Sequence, residues 1–334
     1  MTGKSVKDPA ASIRAKLLAP AKQHREDFGR VLTRYAIERL LFRLSQTDAA
    51  DRFVLKGAML FVTWPQHVFR PTGDLDLLGQ GDPDPAVLAE LFTRICQVEV
   101  ADDGIIFDQS TLKTEHLREA DKYQGARLSL KGRLARAIIP VLVDIGFGDH
   151  VYPPPKRANF PSLLPGLPQA NILMYPPETV VADKFEAMLR FGEINGRIKD
   201  FHDIWVITRT FVFDLSRVVE AVGGTLRRRD TAFPTGIPVG LTQSFAVVAE
   251  ERGLWTGYLR RTPPNLKPPP FRNCRRICGA SSAPSWTASA CPRVRRANGI
   301  RAPELGASET IGHNSEPETR SKVVHPQIGD GTSI

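Results

Sequence analysis

The residues most able to do chemistry in this chain are a few carboxylates and lysines set inside apolar runs. Asp74 and Asp76 flank Leu75 in RPTGDLDLLG (70–79) and are followed by Leu77 and Leu78. If residues 73–79 form a strand, side chains alternate and both aspartates share a face. Neighbouring carboxylates repel each other, and burial adds a desolvation cost. A divalent cation removes that conflict, and Mg²⁺ takes one or two carboxylates together with substrate phosphates. A solvated D-x-D is the competing reading, because Thr72-Gly73-Asp74 is turn chemistry. Asp144 sits in IIPVLVDIGF (138–147), the strongest buried-strand run in the chain. A carboxylate there is costly unless paired, hydrogen-bonded or on a metal. Asp74, Asp76 and Asp144 on two neighbouring strands would be the minimum for a two-metal phosphoryl-transfer site.

Two further stretches suit a phosphate ligand. Lys56-Gly57-Ala58 follows the apolar Phe53–Leu55 and opens a short helical pattern over 57–64. A glycine just before a helix lets a phosphate approach backbone N–H groups, and Lys56 adds a positive charge. Lys184 lies among Val180, Val181, Phe185, Met188 and Leu189 on a predicted helix over 178–192. It sits at the edge of the buried stripe and needs a partner, either Asp200 on the next helix or a bound triphosphate. Surface pairing is the alternative for Lys199 with Asp203, and for Arg190.

The elements that must position these groups follow from hydrophobic period and breakers. Residues 10–20 suit a short helix. Residues 23–46 suit a longer one, with Arg34, Glu38 and Arg43 between its apolar positions. The Asp82-Pro83-Asp84-Pro85 signal starts a helix over 85–98. Residues 105–112 and 126–130 read as strands, and 134–147 contains the buried-strand run 138–147. Pro153 to Pro168 reads as a linker, followed by helices over 178–192, 198–210 and 212–223. Arg227, Arg228 and Arg229 read as a solvated basic turn, with RNA contact as the less favoured alternative. The expected organisation is N-terminal helices over 1–52, a catalytic core over 53–152, a helical part over 153–261 and a disordered tail over 262–334.

Composition narrows the setting. The net charge of +9 comes mostly from the tail, since residues 260–334 hold 12 Lys/Arg against 5 Asp/Glu and residues 1–259 hold 33 against 31. The body therefore lacks a broad nucleic-acid-binding charge. No apolar run approaches the roughly 20 residues of a membrane span, and the N-terminus lacks an apolar signal core, so a cytoplasmic protein without membrane contact is expected. Cys96 falls in an apolar helical pattern. Cys274, Cys278, Cys291 and His313 have zinc-ligand chemistry, but their spacings match no compact finger. Past Arg261 the apolar period stops and Pro, Ser, Ala and Arg dominate, which predicts disorder.

Four stretches, in order, resemble the AbiEii/AbiGii toxin family of nucleotidyltransferases, within the DNA polymerase β-like superfamily. They are LKGA (55–58), RPTGDLDLLG (70–79), LVDIGFGD (142–149) and ETVVADKFEAMLRFGEINGRIKDFHDIW (178–205). The resemblance spans about residues 25–260. It implies an α+β fold, with a mixed sheet flanked by helices and followed by a helical part that closes the cleft. It also implies Mg²⁺-dependent transfer of a nucleotide from an NTP, with Asp74, Asp76 and Asp144 at the metal. Lys56, Gly57, Ala58 and Lys184 would sit at the nucleotide, and Asp200 would orient Lys184. Relatives include enzymes that modify the 3′ end of tRNA as toxins, opposed by an antitoxin from the same operon, and some abort phage infection. The chain departs from the family pattern at Ala58, Gly73 and Asp183, and throughout the tail. Transfer to a small molecule or a protein, and nucleotide binding without catalysis, remain open alternatives.

Overall fold

The computed structural model describes residues 8–24, 26–64, 72–117, 125–192, 197–260 and 294–295. Its centre is a seven-stranded mixed sheet in the order β3-β4-β5-β2-β1-β7-β6. The strands are β1 (Phe53–Lys56), β2 (Asp74–Gly79), β3 (Ile105–His116), β4 (Gly125–Leu134), β5 (Ala137–Phe147), β6 (Lys156–Phe160) and β7 (Ala170–Met174). β2 runs antiparallel to β1 and parallel to β5, while β1 runs parallel to β7. The expected fold class is therefore the observed one.

One face of the sheet is apolar for a simple reason. Leu75 and Leu77 of β2 and Val143 and Ile145 of β5 alternate with the aspartates and are buried. Helix α2 (Phe28–Ser45) lies against β5 and β7, and α3 (Pro85–Gln97) lies against β3. Asp27 caps α2 by accepting from the Arg30 N–H, and Asp84 caps α3 with Pro85 in its first turn. α1 (Pro9–His24) takes residues 23 and 24, which the period assigns to α2.

The charged residues of α2 are not a solvated face. Glu38, Arg39 and Arg43 are buried. Arg43 makes a two-pronged contact with Asp103 at 2.7 and 3.1 Å, and Glu38 accepts from Ser162 and from the Leu163 N–H. Each buried charge is thus hydrogen-bonded, which burial requires. A single-helix pattern hides this because all three partners are more than 50 residues away.

Three strand readings change. The stretch 134–147 divides: Leu134 ends β4, Ala135 takes φ +51, and β5 starts at Ala137 and holds the expected run 138–147. This is a two-residue hairpin whose left-handed position carries alanine in place of the usual Gly or Asn, so no turn signal marks it. β3 runs on to His116. The expected linker from Pro153 to Pro168 contains β6, which pairs antiparallel with β7, and both join the sheet. KRANF is exposed at four of its five positions, as an edge strand can be, so it has no apolar alternation to read.

The helical part comprises α4 (Pro177–Phe191), α5 (Ile198–Thr210), α6 (Leu215–Arg228), α7 (Gln243–Glu251) and α8 (Leu254–Arg260). α4 packs on α6 and α5. Met188, Ile198, Phe201, Ile204, Phe245 and Trp255 form a second apolar cluster there. In the tail, the described pair Val294–Arg295 runs parallel to β8 (Phe213–Asp214). The cysteines and histidine of the tail lie outside the described residues. Among the described residues no helix is long and apolar enough to cross a membrane.

Candidate active site

Strand register builds the site. Asp76 pairs with Lys56 on one side and with Asp144 on the other, and Asp144 pairs with Arg127 of β4. Partners in register share a face. One level of the sheet thus carries Arg127, Asp144, Asp76 and Lys56 side by side, with charges in the order plus, minus, minus, plus. Asp74 lies on the same face two residues earlier, opposite Leu142. The three expected carboxylates are therefore on one face: period-two alternation predicts this for Asp74 and Asp76, and the β2–β5 register adds Asp144.

The row opens into a cavity of about 320 Å³ between this face and α4, α5 and the segment after α6. Among the described residues its wall carries seven cations, from Lys56, Arg127, Lys184, Arg190, Arg197, Lys199 and Arg229, against five carboxylates, from Asp76, Asp144, Asp149, Asp183 and Asp200. The excess of positive charge suits a polyanion. Gly57 and Ala58 reach the wall at the start of a 3-10 helical segment, Gly57–Thr63. Gly57 has φ +69, and a Cβ there would lie 1.9 Å from Asp76 Oδ2. Only glycine fits, both for its backbone conformation and for this approach.

Two ionic networks line the cavity. In the first, Lys56 Nζ donates to Asp149 at 2.7 Å and the Tyr175 hydroxyl donates to the same oxygen at 2.9 Å. Arg229 reaches the other Asp149 oxygen at 3.3 Å, Asp183 at 2.9 Å and Glu186 at 2.8 Å. Burial alone would raise the Asp149 pKa, but Lys56 and Arg229 overcome it and hold the carboxyl at about 2. Burial, reinforced by Asp149, pushes Asp183 up to about 6 against the pull of Arg229. In the second network, Lys184 Nζ donates to Asp200 at 3.0 Å and to Asp203 at 2.6 Å, and Arg197 meets Asp200 at 2.8 Å.

Lys184 and Asp200 are thus brought together, as the helical pattern predicts, and Asp203 joins them. Arg190 pairs with Glu186 on its own helix at 3.4 Å. Arg229 corrects the solvated-turn reading: its side chain is only 16% exposed and three carboxylates converge on it. Three arginines in a row look like a polar turn, and nothing local distinguishes the inward one. Asp149, Tyr175, Glu186 and Arg127 also escape sequence reasoning. The sole signal was LVDIGFGD, where Asp149 follows two glycines.

The donor set bears on a metal. Asp74 and Asp76 are hard oxygen donors on one face, beside a backbone cradle that a Cβ would fill, and they fit a hard divalent cation. Asp144 fits less well, because both its oxygens accept from Arg127 at 2.7 Å. Among the described residues no three His, Cys, Asp or Glu side chains form a ready-made metal cluster.

The mixed sheet, its register row and the helical part across the cavity define a nucleotidyltransferase fold. A family model described as nucleotidyl transferase AbiEii toxin, Type IV TA system, matches residues 39–276. The chain belongs to that family of toxin-type nucleotidyltransferases. Two crystal structures are similar in outline: JHP933 from Helicobacter pylori, and a candidate nucleotidyltransferase from the same organism. Each is 12% identical with a TM-score of 0.41, and they cover 71% of this chain and 83% and 85% of their own. No curated protein matches the chain.

Proposed function

We propose that the chain transfers a nucleotide from an NTP to the 3′ end of tRNA in the cytoplasm. It would act as the toxin of a two-gene system, restrained by an antitoxin from the same operon. The observation that carries this reading is the row Arg127–Asp144–Asp76–Lys56 facing a cation-rich cavity. Membership of a type IV toxin–antitoxin family supports the toxin role and an antitoxin partner.

In this mechanism Asp74 and Asp76 would hold Mg²⁺, which when bound would supply positive charge to the triphosphate and the leaving pyrophosphate. Gly57 brings backbone against the phosphates, and Ala58 follows it into the wall. Lys56, fixed by Asp149 at 2.7 Å, presents its charge toward the same region without sweeping through rotamers. Lys184, oriented by Asp200 and Asp203, faces the cavity from the helical side. The acceptor hydroxyl attacks the α-phosphorus, the bond to the β-phosphate oxygen breaks, pyrophosphate leaves and the hydroxyl proton passes to solvent. Arg197 and Lys199 on the wall offer charge to an RNA backbone.

Incubation with labelled NTPs, bulk tRNA and Mg²⁺ tests the reading. Labelled tRNA is expected, and Asp76→Ala should abolish the label without lowering the melting temperature. Label on protein or on a small molecule would move the acceptor. NTP binding without transfer would make the chain a binding protein.

A further inference from the structure

The sheet face that carries the row of Arg127 and Asp144 runs on past the cavity along β3, β4 and β5. Further register rows follow there. Ser129 stands between Lys113 and Leu142, Lys131 between Asp108 and Pro140, and Arg133 between Ile106 and Ile138. Partners in register share a face, and so do residues two apart on β4. The alternate residues Ile105, Phe107, Leu130, Ile139 and Val141 are buried on the opposite face. On the open face Ile106 is 60% exposed and Ile138 69%. Lys113, Lys131 and Arg133 are exposed there, as is Arg136 in the turn between β4 and β5.

Among the described residues none of these four cations is in an ion pair. The carboxylates on the same rows are Asp108, which accepts from the Ser110 N–H and hydroxyl, and Asp74, the register partner of Leu142. Uncommitted positive charge is thus gathered on one face of a body that is nearly neutral as a whole. Arg133 separates the two isoleucines, so they form no continuous apolar patch, and the face suits a polyanion better than an apolar partner. Lys131 and Arg133 lie four and six residues along β4 from Arg127, roughly 13 and 20 Å at the rise of a strand. A small molecule does not span that distance, whereas a nucleic-acid strand does.

We propose that this open face of β3–β5 docks the acceptor RNA. The 3′ end enters the cavity, and phosphates further back along the strand meet Lys113, Lys131 and Arg133 in turn. This rests on the RNA-acceptor reading given above.

The test reverses two charges that lie outside the cavity wall, in Lys131→Glu/Arg133→Glu. Lys16→Glu/Lys22→Glu makes the same change in net charge at exposed positions of α1. Melting curves establish that both are folded. Fluorescence anisotropy then follows binding of labelled bulk tRNA across a salt series. Lys131→Glu/Arg133→Glu should weaken binding at least tenfold and reduce the slope of log Kd against log salt by about 1–2. Its KM for tRNA should rise at least tenfold, with turnover on a short oligoribonucleotide carrying the tRNA 3′ end within about threefold of wild type. The α1 variant should stay within about threefold throughout. Unchanged tRNA binding by a folded Lys131→Glu/Arg133→Glu would overturn the proposal. Equal weakening by the α1 variant would also overturn it, because net charge alone would then explain the effect. Wild type that binds tRNA through this face but labels none would refute the transfer reading alone. No tRNA binding by the wild type would overturn both.

Discussion

A Cβ on Gly57 would lie 1.9 Å from Asp76 Oδ2 and 2.5 Å from its Cγ. The glycine that opens the phosphate-facing segment and the aspartate at the centre of the register row are thus fitted against each other. This joins two motifs that are 19 positions apart in the chain.

Gly57→Ala tests that fit. Alanine at φ +69 is strained by about 1–2 kcal/mol, and the Asp76 carboxylate must also move. A stability loss of about 1–3 kcal/mol is expected, with turnover down roughly 10²-fold from misplacement of the carboxylate. Urea titration and single-turnover kinetics measure the two effects. Near-normal turnover would show that the Asp76 position is not critical.

Arg229 serves three carboxylates at once: Asp149, Asp183 and the fully buried Glu186. Arg229→Met removes that shared cation while keeping much of the side-chain volume. Breaking a buried ionic group from one side costs about 3–5 kcal/mol. Because Arg229 follows α6 and Asp149 follows β5, the loss should also loosen the helical part from the sheet. Hydrogen exchange would report this as faster exchange in α4 and α6. A loss below 1 kcal/mol would mean that the network is solvated.

The same network sets a pH dependence. The Asp149 carboxyl has its pKa lowered from 3.8 to about 2 on folding. Its contribution is therefore present above about pH 4 and is lost as pH falls toward 2, an effect of about 2 kcal/mol. Asp183 is raised from 3.8 to about 6, so its contribution has the opposite sign. It is full below about pH 4 and lost as pH rises through 6. Asp149→Asn should flatten the acid side of a stability-against-pH curve. Asp183→Asn should flatten the stretch between pH 4 and 6.5. If neither variant changes the curve's shape, these groups do not govern it.

The sequence carries the face-sharing of Asp74 and Asp76 because that property depends only on a period of two within one strand, whereas Asp144 joins them through the β2–β5 register. It carries the Lys184–Asp200 contact because both residues sit at helical spacing beside apolar stripes. It does not carry Arg127, since strand pairing alone places it opposite Asp144 and register is a long-range property. Arg229 and the buried Glu38 are hidden for the same reason, their partners being distant in the chain. β6 is hidden differently: an exposed edge strand has no apolar face to reveal it.

Lys184 separates structure from chemistry most sharply. Its ammonium meets Asp200 and Asp203, whose side chains are 0% and 1% exposed, and it is itself 12% exposed. Removing it takes a countercharge from two buried carboxylates, so Lys184→Ala should cost about 3 kcal/mol or more. A loss of turnover in that variant alone would therefore be ambiguous. Lys184→Ala combined with Asp203→Asn removes one of the two carboxylate charges and should regain part of the stability. If Lys184 neutralises phosphate charge in the transition state, turnover in the double variant should stay down by roughly 10²–10³-fold, the size of losing one electrostatic stabiliser. If its role is only to hold α4 against α5, turnover should recover along with stability. The position of Lys184 on the cavity wall, which Lys56 also lines, favours the first outcome. Denaturation curves and single-turnover rates on the single and double variants decide between them.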